Sequence, residues 1–589
     1  MSKNIVAILQ HRAERESDKR AYTFFNERED DQYATLRFDE LDRRARAIGA
    51  ELQGRGFSGK PVLLVFPDGP EFVVAFFGCL YAGCIAVPCF PLNPIRPQHG
   101  IVRFRHMATD CKAELVLTQT DYIRSAMQLM GECPLEVLCT EAIASYRSAD
   151  WRCPRIEERT LAYLQYTSGS TREPYGVMVS HGNLVAQVEM GCASRLMGPE
   201  SIHLSCSPLA HDLGMINGIV SPMVGLYQAL VMSPWTFLVA PLRWLQLISK
   251  YDVSHAGVSN FVYEVTSRAY DAELCKNMRL ESWVCAYSGA EVVRKETLDV
   301  FWTLFAPHGF RWSAQTPGYG LAEATLLVSA SPRGKAPTCL NVDRGALRRG
   351  IAREAPAESP SVKTIVGCGL PLVGENVVIV DPETKRGCAE GEIGEIWVSG
   401  ANVALGYWNR RDETEQTFHG YLDGEGPFLR TGDLGFLWRG ELFFAGRIKD
   451  LIVVGGNHLH AEEVEQVAER GSSIVRRGRV AAFASFLNEK EDLVVVAEVD
   501  KGKSEASAKL EDEARAVGRL IADELWVPVT VILIGAGTIP RTSNGKIQRN
   551  LCKLLFESNE LEVAARASSV PELGFLLRRQ GFMQPRRAG

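Results

Sequence analysis

Leu164-Gln165-Tyr166-Thr167-Ser168-Gly169-Ser170-Thr171 reads as a short apolar strand running into five consecutive residues, each hydroxylated or glycine. Small residues let a backbone approach a polyanion, and its N–H groups and hydroxyls can then donate to phosphate oxygens. An ordinary turn has the same composition, so the cluster alone decides nothing. It is no Walker loop, because G-x-x-x-x-G-K-[ST] occurs nowhere in the chain. Its surroundings decide. Upstream, 61–66 and 113–118 read as short strands, and the uncharged run 72–90 as a buried helix ending near Ala82 followed by a buried strand at 84–87. Gly78, Gly83 and Pro88 argue against taking 72–90 as a membrane span. Downstream, 201–208, 283–288 and 394–399 continue the alternation of strand and helix. That alternation predicts an α/β fold of parallel-type sheets covered by helices.

Working outward, 589 residues exceed what one core usually supports, so several domains are expected. With 46% hydrophobic and 23% charged residues, the chain is neither collagen-like nor mostly disordered. The net charge of -6, with both signs spread along the chain, gives no reason to expect nucleic acid as a partner. The 15 cysteines form no C-x-x-C pair and no zinc spacing, and the apolar patch near the N-terminus is too short for a signal peptide. A cytoplasmic location is the expectation. Cys79, Cys84 and Cys89 read as small core residues. The stretch 331–363, rich in Pro, Ala, Arg, Gly and Ser, reads as a long loop without structure of its own, and such loops tend to be functional or flexible. Beyond Gly446 the pattern becomes compact α+β, with strands at 451–454, 480–486, 492–499 and 529–533 and an amphipathic helix at 508–525. The expected division is 1–448 and 449–589.

The cluster at 167–171, followed by Gly176-Val177-Met178-Val179-Ser180-His181, resembles the phosphate loop of the adenylate-forming enzymes, which include acyl-CoA synthetases, peptide-synthetase adenylation domains and luciferases. Further motifs follow in that family's order: Gly318-Tyr319-Gly320-Leu321-Ala322-Glu323, Tyr407 after Gly406, Thr431-Gly432-Asp433, Gly446-Arg447-Ile448-Lys449-Asp450 and Thr542-Ser543-Asn544-Gly545-Lys546. The segment Ala210-His211-Asp212-Leu213-Gly214-Met215, the region from Met232 to Trp244, Asn260-Phe261, Gly289-Ala290-Glu291 and Glu323-Ala324-Thr325-Leu326 are similar to fatty acyl-AMP ligases in particular. The stretch 331–363 falls where that group carries an insertion that CoA ligases lack. The resemblance implies a large N-terminal ATP- and acyl-binding domain and a small, mobile C-terminal cap. It also implies that a fatty acid is activated with ATP and Mg²⁺ as acyl-AMP. The acyl group then passes to the phosphopantetheine thiol of a holo-acyl carrier protein. The residues after Lys546 hold no Asp-Ser-Leu attachment site, so the carrier is expected to act in trans.

The chemistry makes sense of these residues. A carboxylate is a poor acyl donor because its leaving group would be oxide; attack on the α-phosphate of ATP makes that oxygen part of AMP. Both reactants are anions, so the site must supply positive charge and fix their alignment. The resemblance implies Lys546 as the cation bridging carboxylate and phosphate. Asp433 is suited to both ribose hydroxyls, with Arg447 at ribose or phosphate. Glu323 is the expected Mg²⁺ carboxylate. Tyr319, with Gly320, Leu321, Ala322 and 289–291, would flank the adenine. His211 would gate an acyl pocket with Asp212, Met215, Met232, Asn260 and Phe261, and Lys449 would be the hinge. Two positions depart from the pattern: Arg172 replaces a glycine, and Tyr175 replaces the lysine expected near the β- and γ-phosphates. Tyrosine carries no positive charge near neutral pH, and Arg172 is the expected electrostatic substitute. The alternatives are an acyl- or aryl-CoA ligase and a degenerate adenylate-binding protein.

Overall fold

The computed structural model describes residues 4–26, 32–91, 97–131, 133–166, 174–359, 361–454, 457–487, 490–500, 507–525, 527–541 and 546–569. Two large sheets carry the N-terminal body. In the first, the strand order is Glu136–Cys139, Leu115–Thr118, Pro61–Val65, Ile85–Cys89, Leu161–Tyr166 and Gly176–Ser180. Its neighbours are parallel except the last pair, which is antiparallel with Tyr166 opposite Gly176. The second sheet has nine strands. Its middle, from Gln315–Gly320 through Cys285–Ser288, His255–Val258, Ile202–Ser205 and Gln228–Met232 to Arg20–Phe25, is parallel, and its outer strands are antiparallel. The expected α/β architecture is therefore present.

Local chemistry explains the elements that frame the site. The helix Pro70–Ala82 begins on a proline and ends at Gly83 with φ +69, a left-handed stop. It is buried along almost its whole length, which is why 72–90 looked apolar without spanning anything. Among the described residues no helix is long and apolar enough to cross a membrane. Cys79, Cys84 and Cys89 are buried, as expected of small core residues. The helix His181–Arg195 starts at a reciprocal capping box between Ser180 and Asn183. Asn183 also donates to the carbonyls of Ala401 and Val403 at 2.9 and 2.8 Å, which binds this helix start to a distant segment used by the site.

A third sheet orders Asn376–Val380, Gly394–Ser399, Glu425–Trp438 and Gly420–Leu422, with Glu441–Arg447 pairing on Glu425–Trp438. Beyond it, Val475–Leu487, Lys490–Val499, Val529–Ile534 and Val563–Ser569 form a four-stranded sheet. One face packs on Ala461–Gly471 and Ser507–Leu525, the other on Arg549–Glu557. Both apolar clusters draw only on residues from Ile452 onward, so this α+β unit has its own core.

The expectation of a structureless stretch at 331–363 is corrected. Cys339–Asp343 and Val362–Val366 pair as antiparallel strands around the short helix Arg344–Arg348. Asp343 caps that helix by accepting the Ala346 N–H at 2.7 Å, and Ser361 donates to its other oxygen at 2.9 Å. The strands looked weak because their apolar partners lie elsewhere: Leu340, Val342 and Leu347 bury against Phe436 and Phe443. The helix also reaches the C-terminal unit. Arg344 lies 3.8 Å from Glu463 and 3.5 Å from Glu524, and Arg348 donates to the carbonyls of Leu525 and Glu524.

Candidate active site

The ends of the strands converge on one cross-linked wall. Asp433 on Glu425–Trp438 sits opposite Arg447 on Glu441–Arg447. The Arg447 Nε lies 3.2 Å from one Asp433 carboxylate oxygen, and the Tyr319 hydroxyl donates to the other at 2.8 Å. Burial pushes the Asp433 carboxyl up, while Arg447, Tyr319, Lys449 and Lys546 act the other way. Tyr319 lies against Phe444, with ring centroids 6.0 Å apart and planes 26° apart. One side of its ring is thus backed by Phe444 and its hydroxyl is committed to Asp433. The glycine of the motif has a steric reason, since a Cβ on Gly320 would meet the Leu326 carbonyl oxygen at 1.8 Å. Gly289 passes over the same strand, 3.0 Å from the Gly318 carbonyl to an added Cβ, and Ala290 adopts a left-handed φ of +65.

Glu323 follows on the turn Ala322–Ala324. Its Oε1 accepts the Tyr407 hydroxyl at 2.9 Å, and its backbone carbonyl accepts the Ala404 N–H at 2.9 Å. Burial raises its carboxyl, and the Tyr407 hydrogen bond opposes that. The loop is braced from beneath by residues that no local pattern singles out. Gln187 accepts the N–H groups of Leu326 and Leu327 at 3.1 and 2.9 Å. Asn402 donates to the carbonyls of Ala324 and Leu327 and to the Glu375 carboxylate. Thr325, with φ +64, donates to the Asn402 carbonyl at 2.5 Å.

Lys546, from the C-terminal unit, reaches this wall. It faces Arg447 and the carboxylates of Asp212, Glu291 and Asp433; burial and Arg447 pull its ammonium below the ordinary lysine range while the three carboxylates oppose them. Lys449 occupies the turn Ile448–Asp450 between the two units and is lowered for a similar reason, burial first and then Arg447. Asp450 next to it binds Arg549 at 2.9 Å, and Arg549 forks onto Glu465 at 2.7 and 2.8 Å. Arg549 lies three residues after Lys546, so the turn and the lysine are fastened to the same unit.

On the side expected to hold the acyl chain, His211 and Asp212 form a contact of 2.5 Å, and Phe90 meets the imidazole edge-on at 6.5 Å. Burial alone would raise the Asp212 carboxyl; His211, the Leu213 N–H and Lys546 bring it below the ordinary range. The loop is pinned by Asp68, which accepts the Leu209 N–H at 2.6 Å and is pushed up to about 6 by burial. Glu291 accepts the Phe261 N–H at 2.5 Å, so those two residues do meet. The remaining residues of the expected pocket do not form one cluster. Met215, on the wide helix Gly214–Val220, packs in the central core, while Met232 packs in a separate core with Phe25 and Trp244. Asn260 uses its side chain internally, accepting the Arg294 N–H at 3.1 Å and donating to Glu264 and Thr297. The residues Thr167, Ser168, Gly169, Ser170, Thr171 and Arg172 lie outside the described residues, although Tyr166 and Tyr175 on either side lie within them.

The family model of AMP-binding enzymes matches residues 9–408, more than half of the chain. This chain is an AMP-binding enzyme. The enzyme is 40% identical over 571 residues to the medium-chain-fatty-acid–[acyl-carrier-protein] ligase JamA of Moorena producens, across 95% of this chain and 96% of that protein. It is 33% identical over 616 residues to the long-chain-fatty-acid–AMP ligase FadD32 of Mycobacterium marinum, across 96% of both. A solved fatty acyl-adenylate ligase from L. pneumophila, in complex with acyl adenylate and pyrophosphate, matches with a TM-score of 0.74 at 34% identity, over 96% of this chain and 98% of that one. The enzyme therefore sits on the fatty acyl-AMP ligase branch of the AMP-binding family.

Proposed function

We propose that the enzyme joins a fatty acid to ATP as acyl-AMP, releasing pyrophosphate, and then passes the acyl group to the phosphopantetheine thiol of an acyl carrier protein acting in trans. The observation that carries this reading is the convergence of Lys546 on Asp433 from the nucleotide side and Asp212 from the acyl side. In the first step a carboxylate oxygen bonds to the α-phosphorus as the bond from that phosphorus to the α,β-bridging oxygen breaks and pyrophosphate departs. Lys546 offsets the meeting of two anions at that point. Asp433 receives the ribose hydroxyls and Arg447 orients it. In the second step the thiol sulfur bonds to the acyl carbon, AMP leaves, and the thiol proton is released.

Glu323 fits a hard cation. It is a partly buried anionic oxygen donor whose Oε1 accepts the Tyr407 hydroxyl at 2.9 Å. In this reading Glu323 would hold Mg²⁺, which would supply charge neutralisation on the ATP phosphates. His211 and Asp212 guard the acyl side together with Met215, and 289–291 with 319–322 hold the adenine. Residues 1–448 act as the binding body and 449–589 as a cap turning at Lys449, which fits the separate cores on either side of that turn. All 15 cysteines are unpaired, in keeping with a cytoplasmic site of action.

The test offers the purified enzyme ATP, Mg²⁺ and a panel of fatty acids, with either CoA or a holo-carrier protein as acceptor, and reads products by mass. Acyl-AMP and acyl-carrier are the expected products. Acyl-CoA as the main product would overturn the carrier reading, and no acyl-AMP with any acid would overturn the activity.

A further inference from the structure

Tyr175 stands where the resemblance led to the expectation of a lysine, and the structure contains an assembly at that position which the proposed reaction has not used. The Tyr175 ring meets the Tyr407 ring edge-on, with centroids 5.3 Å apart, and the Arg410 guanidinium lies 5.5 Å from the Tyr175 centroid. Arg410 also pairs with Asp110 at 2.9 Å. The other oxygen of Asp110 accepts the Tyr166 hydroxyl at 2.7 Å. Tyr166 ends the strand Leu161–Tyr166, and Tyr175 precedes Gly176–Ser180. A closed circuit therefore runs from Tyr166 through Asp110 and Arg410 to Tyr175, joining the two sides of the segment 167–173 through side chains of other elements.

The backbone repeats the connection. Met178 donates to the Gly406 carbonyl at 2.8 Å, Leu405 to Met178 at 2.9 Å and Trp408 to Gly176 at 2.8 Å. The segment 405–410 is thus zipped onto the strand leaving 167–173, and it also carries Tyr407, whose hydroxyl reaches Glu323. An ordinary stabilising ion pair would need none of this placement. The Asp110 carboxylate is almost wholly covered, with a side-chain exposure of 7%, so leaving it without Arg410 would strand a buried charge.

We propose that Arg410, held by Asp110 and Tyr175, is a positioning residue for the ATP-consuming half-reaction, fixing Tyr166 and Tyr175 on either side of the expected phosphate segment. The proposal rests on reading 167–171 as that segment. Its consequence is a division between the half-reactions. The β- and γ-phosphates are present only until pyrophosphate leaves, so stem geometry governs acyl-AMP formation and is irrelevant to acyl transfer from finished acyl-AMP.

The experiment uses the full chain and measures two rates: acyl-AMP formation from ATP and a fatty acid, and transfer to a holo-carrier from chemically supplied acyl-AMP. Arg410→Gln should raise the KM for ATP by about tenfold or more, the scale of one lost charge-assisted contact, and leave transfer within about twofold. Arg410→Lys should recover part of the loss, and Tyr175→Leu should fall in the same direction. Asp110→Asn combined with Arg410→Gln should be no worse than the more damaging single change, because the residues act as one unit. Equal losses in both half-reactions, additive effects in the double variant or an unchanged KM for ATP would overturn the proposal. Thermal unfolding of each variant separates lost fold from lost positioning, and Arg410→Lys keeps the test decisive if Arg410→Gln does not fold. Wild-type enzyme that forms no acyl-AMP overturns the proposed function and this inference together; active wild type with any of those variant outcomes overturns this inference alone.

Discussion

On the nucleotide side, Tyr319, Asp433 and Arg447 form one bonded chain and Tyr407 with Glu323 a second, each link between 2.8 and 3.2 Å. On the acyl side, Met215 and Met232 belong to different apolar cores, and Asn260 bonds to its own surroundings. In the proposed reaction the first wall presents fixed charge to a polyanion, and directional bonds between side chains provide that fixity. In the same proposal the second wall accommodates a chain of methylenes, for which shape matters and no directional bond exists to reveal the contact. Changes to the nucleotide wall should therefore act through charge and be large, whereas changes to the acyl wall should act through volume and be moderate.

The largest expected effect tests the point where both walls meet. Lys546→Ala should slow acyl-AMP formation by about 10²–10³-fold, the loss typical of one preorganised electrostatic donor. Transfer from supplied acyl-AMP should suffer much less, because two anions no longer have to meet. A similar loss in both half-reactions would show that Lys546 supports the fold of the site rather than the chemistry. Next in size, Asp433→Ala removes the acceptor shared by Tyr319 and Arg447 and should lower kcat/KM for ATP by about 10–100-fold, one or two charged hydrogen bonds' worth. Steady-state kinetics with ATP and with the fatty acid varied separately would check it. An effect confined to the fatty acid would break the assignment of this wall.

The same difference explains what could be read from the amino-acid order. Asp433, Glu323, Arg447 and Lys546 stood out through the ordered motifs that carry the family resemblance, and the structure brings all of them to one place. Gly320 was legible as part of the same motifs, and the structure adds a steric reason in the contact an added Cβ would make with the Leu326 carbonyl. Gln187, Asn402, Asp110 and Arg410 were not legible. Their partners lie far away in the chain, as with Arg410 and Asp110, and nothing local marks a residue whose bonds form only after folding. The strands within 331–363 were missed for a related reason, since Phe436 and Phe443 complete their core. Met232 shows the converse ambiguity. An apolar residue beside a motif is as well suited to a core as to a pocket, and this one packs with Trp244.

A smaller effect tests the acyl wall by volume. Met215 is fully buried on Gly214–Val220. Met215→Trp should shift preference toward shorter acids by about tenfold, the order of magnitude that one or two methylenes command in a pocket. The KM for ATP should stay within about twofold. A changed ATP dependence with unchanged acid preference would place Met215 outside the pocket.

The smallest effect separates charge from shape within the acyl side itself. Asp68 pins the His211 loop through the Leu209 N–H while its carboxyl is pushed up to about 6 by burial. A carboxyl whose folded value is raised favours folding most at low pH, and that contribution falls away as pH rises through about 6, where the buried charge forms. Asp68→Asn keeps an oxygen acceptor for Leu209 and removes the charge. Thermal unfolding should thus show little difference near pH 3, below the ordinary carboxyl value of 3.8, and a variant more stable by about 1 kcal/mol near pH 8, after allowance for solvent screening. If shape alone orders this wall, acid preference should not change in that variant. A variant that is less stable at high pH, or that loses acid selectivity, would mean the ionised carboxylate is needed, and the acyl wall would then rest on charge as the nucleotide wall does.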